Sequence, residues 1–267
     1  MHIEHLDQLR DTYDHIYLSP HLDDAALSCG GAIARHTSAG AKVLVVTLCT
    51  AIPPSEGPFS PFAEAMHQRW ALQPEEVVTA RLHEETLALE RLNADSYWAG
   101  MLDAIYRRPD AYNSDATLFG IPAVDDPLAD AVSELIAQLR GRVPQATFYA
   151  PLGVGSHVDH LITFAAALRD HGEMTTAFYE DIPYVTKPGA LDMRLSQLSG
   201  HFVPSTIDID ATLTRKLGSI ACYASQLYEL FGGEEHMRQQ ITEYAEGLRP
   251  DNGTYGERLW LYAKGAA

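Results

Sequence analysis

An α/β fold around a mostly parallel sheet is predicted by three features of this 267-residue sequence. Ile16 to Thr50 reads as a strand, a polar turn, a helix-length run of small residues and a second strand, the parts of a βαβ unit. Short apolar runs then alternate with helical patterns through most of the chain, the rhythm of parallel strands joined by crossover helices. Imidazoles and carboxylates follow the ends of strand candidates, where ligands collect in open α/β sheets. Together these features predict a Rossmann-like, three-layer αβα sandwich.

Taken in order, residues 1–15 read as a short polar helix or arm before the first strand, Ile16 to Ser19. Asp24 or a neighbour caps a helix from Ala25 to Ala39, and Gly40 supplies the stop signal. Gly30-Gly31 falls inside that helix, where each glycine costs about 1 kcal/mol relative to alanine. Close packing of the helix is the usual compensation. Lys42 to Thr47 is the second strand. Residues 51–74 are rich in proline, serine and aromatics, with a helical piece from Ala63 to Ala71, and such a stretch beside a strand end suits a binding loop or lid.

Glu75 to Leu92 is an amphipathic helix with apolar positions at Val78, Leu82, Leu89 and Leu92, followed by a strand at Ser96 to Trp98. Residues 106–127 form a second irregular region, rich in aspartate, proline and tyrosine. A helix from Leu128 to Arg140 and a strand from Ala146 to Ala150 lead into Pro151 to His160, then a helix from Asp159 to Arg169 and a strand from Thr175 to Glu180. The remainder reads as a strand (Ser205 to Asp208), helices (Leu213 to Ser225, Glu234 to Ala245) and a final inner strand (Glu257 to Tyr262). No repeat, low-complexity tract or linker divides the sequence, which predicts one domain over 1–267 with lid-like insertions near 51–74 and 106–127.

A hydrophobic fraction of 46% and a charged fraction of 21% place the chain among globular proteins. No run approaches the roughly 18 apolar residues of a membrane span, so no membrane insertion is expected. Met1 to Asp7 lacks the basic and apolar regions of a signal peptide, which points to the cytoplasm. Cys29, Cys49 and Cys222 are odd in number and widely spaced, against a disulfide framework or a thiolate zinc site. The net charge of -17 argues against nucleic acid, whose phosphates are bound by a surplus of lysine and arginine. It suits a neutral or partly cationic small molecule, or simply a solvated acidic surface. Oligomeric state is unknown from the sequence.

Two clusters carry the chemistry: His21, Asp23 and Asp24 after one strand, and His157, Asp159 and His160 after another. Two histidines and one carboxylate leave coordination positions open, as in a catalytic zinc site, and the same donors suit Fe2+ or Co2+. Singly, each residue reads as readily as a cap or turn residue. Adjacent ionised aspartates repel each other, and a divalent cation relieves that repulsion.

His21-Leu22-Asp23-Asp24 resembles the His-Pro-Asp-Asp motif of the PIG-L or LmbE-like zinc-dependent N-deacetylases, with Pro20 before the histidine in place of the family proline after it. His157-Val158-Asp159-His160 matches the family's His-x-Asp-His. Arg81-Leu82-His83-Glu84 resembles its Arg-x-x-Glu helix, and Gly100 to Asp103 its acidic strand end. The resemblance implies that His21, Asp24 and His160 hold Zn2+, that Asp23 is the general base, and that His157 stabilises the oxyanion or protonates the leaving amine. It further implies that Arg81 and Asp103 contact substrate, although Arg81 also suits pairing with a helix glutamate. Asp159 orients a ligand histidine on this reading, or caps its helix.

The activity implied is removal of an N-acetyl group from an N-acyl amino sugar or glycoconjugate. Amidase action on a sugar-linked thiol conjugate or a sugar-bearing natural product is an alternative within the same chemistry. A non-catalytic sugar- or nucleotide-binding module has no use for Asp23, Asp24 and His157 together, and Gly30-Gly31 is not a Gly-x-Gly-x-x-Gly fingerprint.

Overall fold

The computed structural model describes residues 1–9, 12–53, 59–70, 74–169 and 176–263. The chain begins with strands β1 (His2–Ile3) and β2 (His15–Ser19), helix α1 (Asp24–Ser38) and β3 (Val43–Thr47). Helices α2 (Pro61–Trp70) and α3 (Pro74–Leu92) precede β4 (Asp95–Trp98), the one-turn helices α4 (Ala104–Arg107) and α5 (Asp115–Leu118), and α6 (Leu128–Arg142). Then come β5 (Thr147–Pro151), α7 (Val158–Arg169), β6 (Thr176–Tyr179), α8 (Ala190–Gln197) and β7 (His201–Asp208). The chain closes with α9 (Leu213–Ile220), α10 (Ala224–Phe231), α11 (Glu234–Gly247) and β8 (Gly256–Ala263).

The strands form one sheet in the order β1-β4-β3-β2-β5-β6-β8-β7. Pairing is parallel from β1 through β6 and antiparallel at β8 and β7. Strand alternation builds the two outer layers. Ile16, Leu18, Leu44, Val46 and Phe148 pack in one cluster with Val132 and Ile136 of α6 and Ile162 of α7. Tyr17, Val45, Tyr149 and Tyr179 point the other way and cluster with Ala26 and Ile33 of α1 and Leu89 of α3. The expected αβα sandwich and mostly parallel sheet are therefore present, and both faces of the central strands are apolar because both are covered.

The glycine pair of α1 lies where that helix meets α9. A Cβ on Gly31 would sit 2.8 Å from Ile209 Cγ2 and 2.9 Å from Glu257 Oε1, and one on Gly30 would sit 3.1 Å from Lys216 Cγ. Glu257 of β8 accepts from the backbone amides of Gly31 and Ala32 (2.9 and 2.7 Å) and pairs with Lys216 Nζ at 2.6 Å, all buried. The close packing expected of the glycines is thus against α9 and a strand carboxylate together.

Some elements depart from expectation. Residues 2–3 form an edge strand on β4 where a polar helix or arm was predicted, with a 3₁₀ turn at Leu6–Gln8 behind it. Helix α8 was not anticipated. The helix predicted from Leu213 to Ser225 divides into α9 and α10, and at the break the buried Tyr223 donates a hydrogen bond to Glu85. Ala71, at the end of a predicted helical piece, lies outside the described residues. Among the described residues no helix is long and apolar enough to cross a membrane.

Candidate metal centre

The strand order reverses at β2: β3 and β4 lie on one side of it, β5 and β6 on the other. Because β2 and β5 are direct neighbours in register (Ile16 opposite Phe148), their carboxyl-end loops emerge side by side. This is the crevice where open α/β sheets bind ligands. It brings residues 20–24 against residues 157–160.

The first loop is braced locally. Ser19 Oγ donates to the His21 carbonyl (2.8 Å) and accepts from Ala25 N (3.1 Å), while Asp24 Oδ2 accepts from His21 N at 2.8 Å. Between them Asp23 adopts φ 141°, a positive value that few residues with a side chain accept. Its carboxylate is buried and lies 3.3 Å from Arg81 Nη2, which also donates to Leu22 O at 2.9 Å. Arg81 therefore pairs across elements with Asp23. Burial, together with Asp24, outweighs Arg81 and pushes the Asp23 carboxyl up to about 7.

Three ligand atoms converge beside Asp23. His21 Nδ1 and Asp24 Oδ2 are 3.3 Å apart, Asp24 Oδ2 and His160 Nε2 are 3.3 Å apart, and His160 Nε2 and His21 Nδ1 are 3.3 Å apart. Four-coordinate zinc with bonds of about 2.0–2.2 Å separates its ligand atoms by roughly 3.3–3.5 Å, so the triangle has the size of one coordination face. The other nitrogen of each ring is engaged by a carboxylate. His160 Nδ1 lies 2.6 Å from Asp181 Oδ1, and His21 Nε2 lies 3.1 Å from Asp159 Oδ2. A carboxylate only accepts, so each outer nitrogen carries a proton, and with the inner nitrogens deprotonated both rings would aim a lone pair at the same point. Two lone pairs and a carboxylate facing one another repel unless positive charge lies between them. The residues fit a divalent cation.

The electrostatics agree with this reading. Burial lowers the His160 imidazole, but Asp24 and Asp181 overcome it and hold the group at about 9. His21 is likewise raised well above its ordinary value, burial being overcome by Asp159 and Asp24, and Asp24 is held well below the carboxylate range by His160 and His21 against its own burial. Every member of the triangle favours added positive charge.

His157 stands apart from the triangle. Its Nδ1 accepts from Asp159 N at 3.2 Å, leaving Nε2 to carry the proton, and its ring packs edge-on against His21 and Phe119. Burial and the two neighbouring histidines hold it well below the ordinary imidazole range, so it is neutral. A ring nitrogen from each of His21, His157 and His160 falls within 4.8 Å of the others, which keeps His157 within reach of anything held by the other two. Asp159 does not cap its helix through its side chain. Its fully buried carboxylate accepts from His21, from Ala104 N (3.2 Å) and from Arg107 Nη2 (2.6 Å). Asp103 caps α4 through Ile105 N and holds its other oxygen 3.6 Å from His21 Nε2.

A cavity of about 280 Å³ opens over these groups, floored by His21, Asp23, Asp24, Arg81, Asp103 and His157. Leu118, Phe119, Tyr184, Gln226 and Glu229 form its upper wall. Every site residue predicted from the sequence except the deeper His160 and Asp159 lines it. Sequence reasoning missed Asp181, which follows β6 as Asp23 follows β2, so the same strand-end rule applied once more would have found it. It also missed Arg107, for which no local pattern exists. Glu84 of the Arg-x-x-Glu match accepts hydrogen bonds from Ser225 at the surface, and the inward carboxylate is its neighbour Glu85.

Comparison with known proteins gives the family. The family model for GlcNAc-PI de-N-acetylase (PIG-L) matches residues 16–170. The chain is 33% identical to a 2'-N-acetylparomamine deacetylase of Streptomyces fradiae, over 94% of this chain and 91% of the relative. It is 26% identical to 1D-myo-inositol 2-acetamido-2-deoxy-alpha-D-glucopyranoside deacetylase of Mycobacteroides abscessus, over 78% and 79%. The crystal structure of the zinc-inhibited form of teicoplanin deacetylase Orf2 superposes with a TM-score of 0.80 at 28% identity, covering 95% of this chain and all of that one. The chain belongs to the PIG-L family and is an N-deacetylase, a hydrolase acting on amide bonds.

Proposed function

We propose that the chain removes the acetyl group from an N-acetylated amino sugar of a natural product or glycoconjugate, using an ion held by His21, Asp24 and His160. The observation that carries this reading is the 3.3 Å triangle of their ligand atoms with the buried carboxylate of Asp23 beside it. Zn2+ is the ion the donor set suits, with Fe2+ and Co2+ as substitutes. Such an ion, when bound, polarises the acetamide oxygen and lowers the pKa of water toward about 7.

The protein's own groups do the rest. Asp23 takes the proton of the attacking water as the new C–O bond forms, and Arg81 holds that carboxylate in place. His157, with its proton on Nε2, donates a hydrogen bond to the oxygen that gains negative charge, and Asp23 passes the proton it took to the nitrogen as the C–N bond breaks. Acetate and a free amine leave. Asp103, partly exposed in the cavity, accepts from a sugar hydroxyl, and Arg81 contributes to the same polar floor.

We read residues 1–267 as one domain in which the regions near 51–74, of which residues 54–58 and 71–73 lie outside the described residues, and 106–127 cover the sugar. Support comes from Met66 of α2 and from Leu118 and Phe119, which line the cavity. The amino-sugar reading is supported by the 2'-N-acetylparomamine deacetylase and by a teicoplanin-bound deacetylase structure at 26% identity and TM-score 0.79. The test is incubation of zinc-loaded protein with a panel including 2'-N-acetylparomamine and N-acetylglucosaminides, with detection of acetate and free amine. Acetate release that stops on chelation and returns with zinc is expected. Metal-replete protein that releases none from any member sinks the proposal.

A further inference from the structure

Behind the metal centre lies a buried ionic cluster that the chemistry above does not use. The Arg107 guanidinium meets Asp159 Oδ1 at 2.6 Å, meets both oxygens of Asp126 at 2.7 and 2.9 Å, and donates to Leu102 O at 2.5 Å. Arg107 is 7% exposed, and the two carboxylates 0% and 1%. Burying one cation with two anions carries a large desolvation cost, so a role beyond stability is worth seeking. The cluster is continuous with the proposed ligand, since the second oxygen of Asp159 meets His21 Nε2 at 3.1 Å. It is also continuous with the cavity wall. Asp126 accepts from Tyr112 OH (2.7 Å) and Leu128 N (2.9 Å), closing the segment that carries Leu118 and Phe119.

We propose that Arg107 is a positioning residue: it fixes the plane of Asp159 so that His21 presents Nδ1 to the ion, and it ties the 104–128 wall to that same ligand. The inference rests on His21 being a metal ligand. Without the guanidinium, Asp159 keeps only His21 and the Ala104 amide as strong partners. Its carboxylate is then free to turn, and the His21 ring turns with it.

The test is zinc affinity of the full-length protein, measured by chelator competition, with the visible spectrum of the Co2+-substituted form as a second readout. Partners of ligating histidines typically contribute 10- to 100-fold in metal affinity, so Arg107→Leu is expected to weaken zinc about 10-fold or more and to alter the Co2+ bands. Arg107→Lys, which keeps charge but loses the fork, is expected to fall between wild type and Arg107→Leu. Because Arg107 acts through Asp159, adding Arg107→Leu to Asp159→Asn is expected to cost less than about twofold more.

Folded Arg107→Leu protein with wild-type affinity and spectrum overturns the proposal, as does full additivity with Asp159→Asn. If Arg107→Leu does not fold, Arg107→Lys decides by the same two readouts. His21→Ala protein that keeps full zinc stoichiometry sinks the ligand reading itself. Zinc loss in His21→Ala with unchanged Arg107 variants sinks the positioning role alone.

Discussion

Helix α1 takes part in two buried polar clusters, one at its first residue and one at its middle, and they are built on opposite plans. At Gly31 and Ala32 the Glu257 carboxylate meets two backbone amides and the Lys216 ammonium, so acceptors face donors and the cluster is closed. At Asp24 a carboxylate meets the inward nitrogens of two histidines whose outer nitrogens are occupied by Asp159 and Asp181. There the same three atoms close on one another only while the rings keep their inner protons. The first cluster is satisfied by the chain's own donors, whereas the second could give up its ring protons to a cation, the exchange on which the proposed metal site depends.

The sharpest way to break the contrast is to remove a member of the open cluster. His160→Ala or Asp24→Ala is expected to lose bound zinc, and elemental analysis showing undiminished stoichiometry would count against the open plan. Asp23→Asn keeps the triangle and removes only the base. It is expected to retain metal and slow turnover by roughly 10² to 10⁴, and a near-normal kcat would exclude Asp23 from proton transfer. In the closed cluster, Lys216→Met leaves Glu257 without its cation. The expected cost is about 3–5 kcal/mol in unfolding free energy, read by denaturant titration, with zinc stoichiometry unchanged.

Glu85 belongs to neither plan, and its effect is the smallest. Burial pushes this carboxyl up to about 7, although hydroxyls of Tyr223 and Thr47 and the charge of Arg81 favour its ionised form. The folded state therefore keeps the proton to higher pH than the unfolded chain. Stability from this group is full below the ordinary glutamate value of 4.5 and is lost as pH rises to about 7. Glu85→Gln is expected to flatten that limb, a difference of at most about 3 kcal/mol across the window. Denaturation midpoints that fall in parallel for both proteins would remove Glu85 from the pH response.

How much of this was readable in advance depended on how local each signal was. His21 to Asp24 and His157 to His160 each lie within one turn, and the βαβ pattern placed them at strand ends, so the meeting of the two clusters at one rim was legible, while the choice of His21, Asp24 and His160 among them came from the family resemblance. Arg107 and Asp126 are 19 residues apart, each in irregular sequence, and nothing local links them to Asp159. On α3 the inward residues are Glu85, Ala88, Leu89 and Leu92, with Arg81 reaching Asp23, and a search for apolar spacing finds Leu89 and Leu92 but not the two charged members. The break before α10 was invisible because residues 221–223 contain neither glycine nor proline, and the tertiary contact made there, a hydrogen bond from Tyr223 to Glu85 of α3, has no local signal.

The backbone of Asp23 carries a further lesson. Its φ of 141° is a conformation that costs most side chains on the order of 1–3 kcal/mol, and glycine would occupy it without that penalty. A search for stabilising substitutions would accordingly be drawn to the residue proposed to take the water proton. If Asp23 is that residue, thermal robustness and turnover pull in opposite directions at one position in the interior.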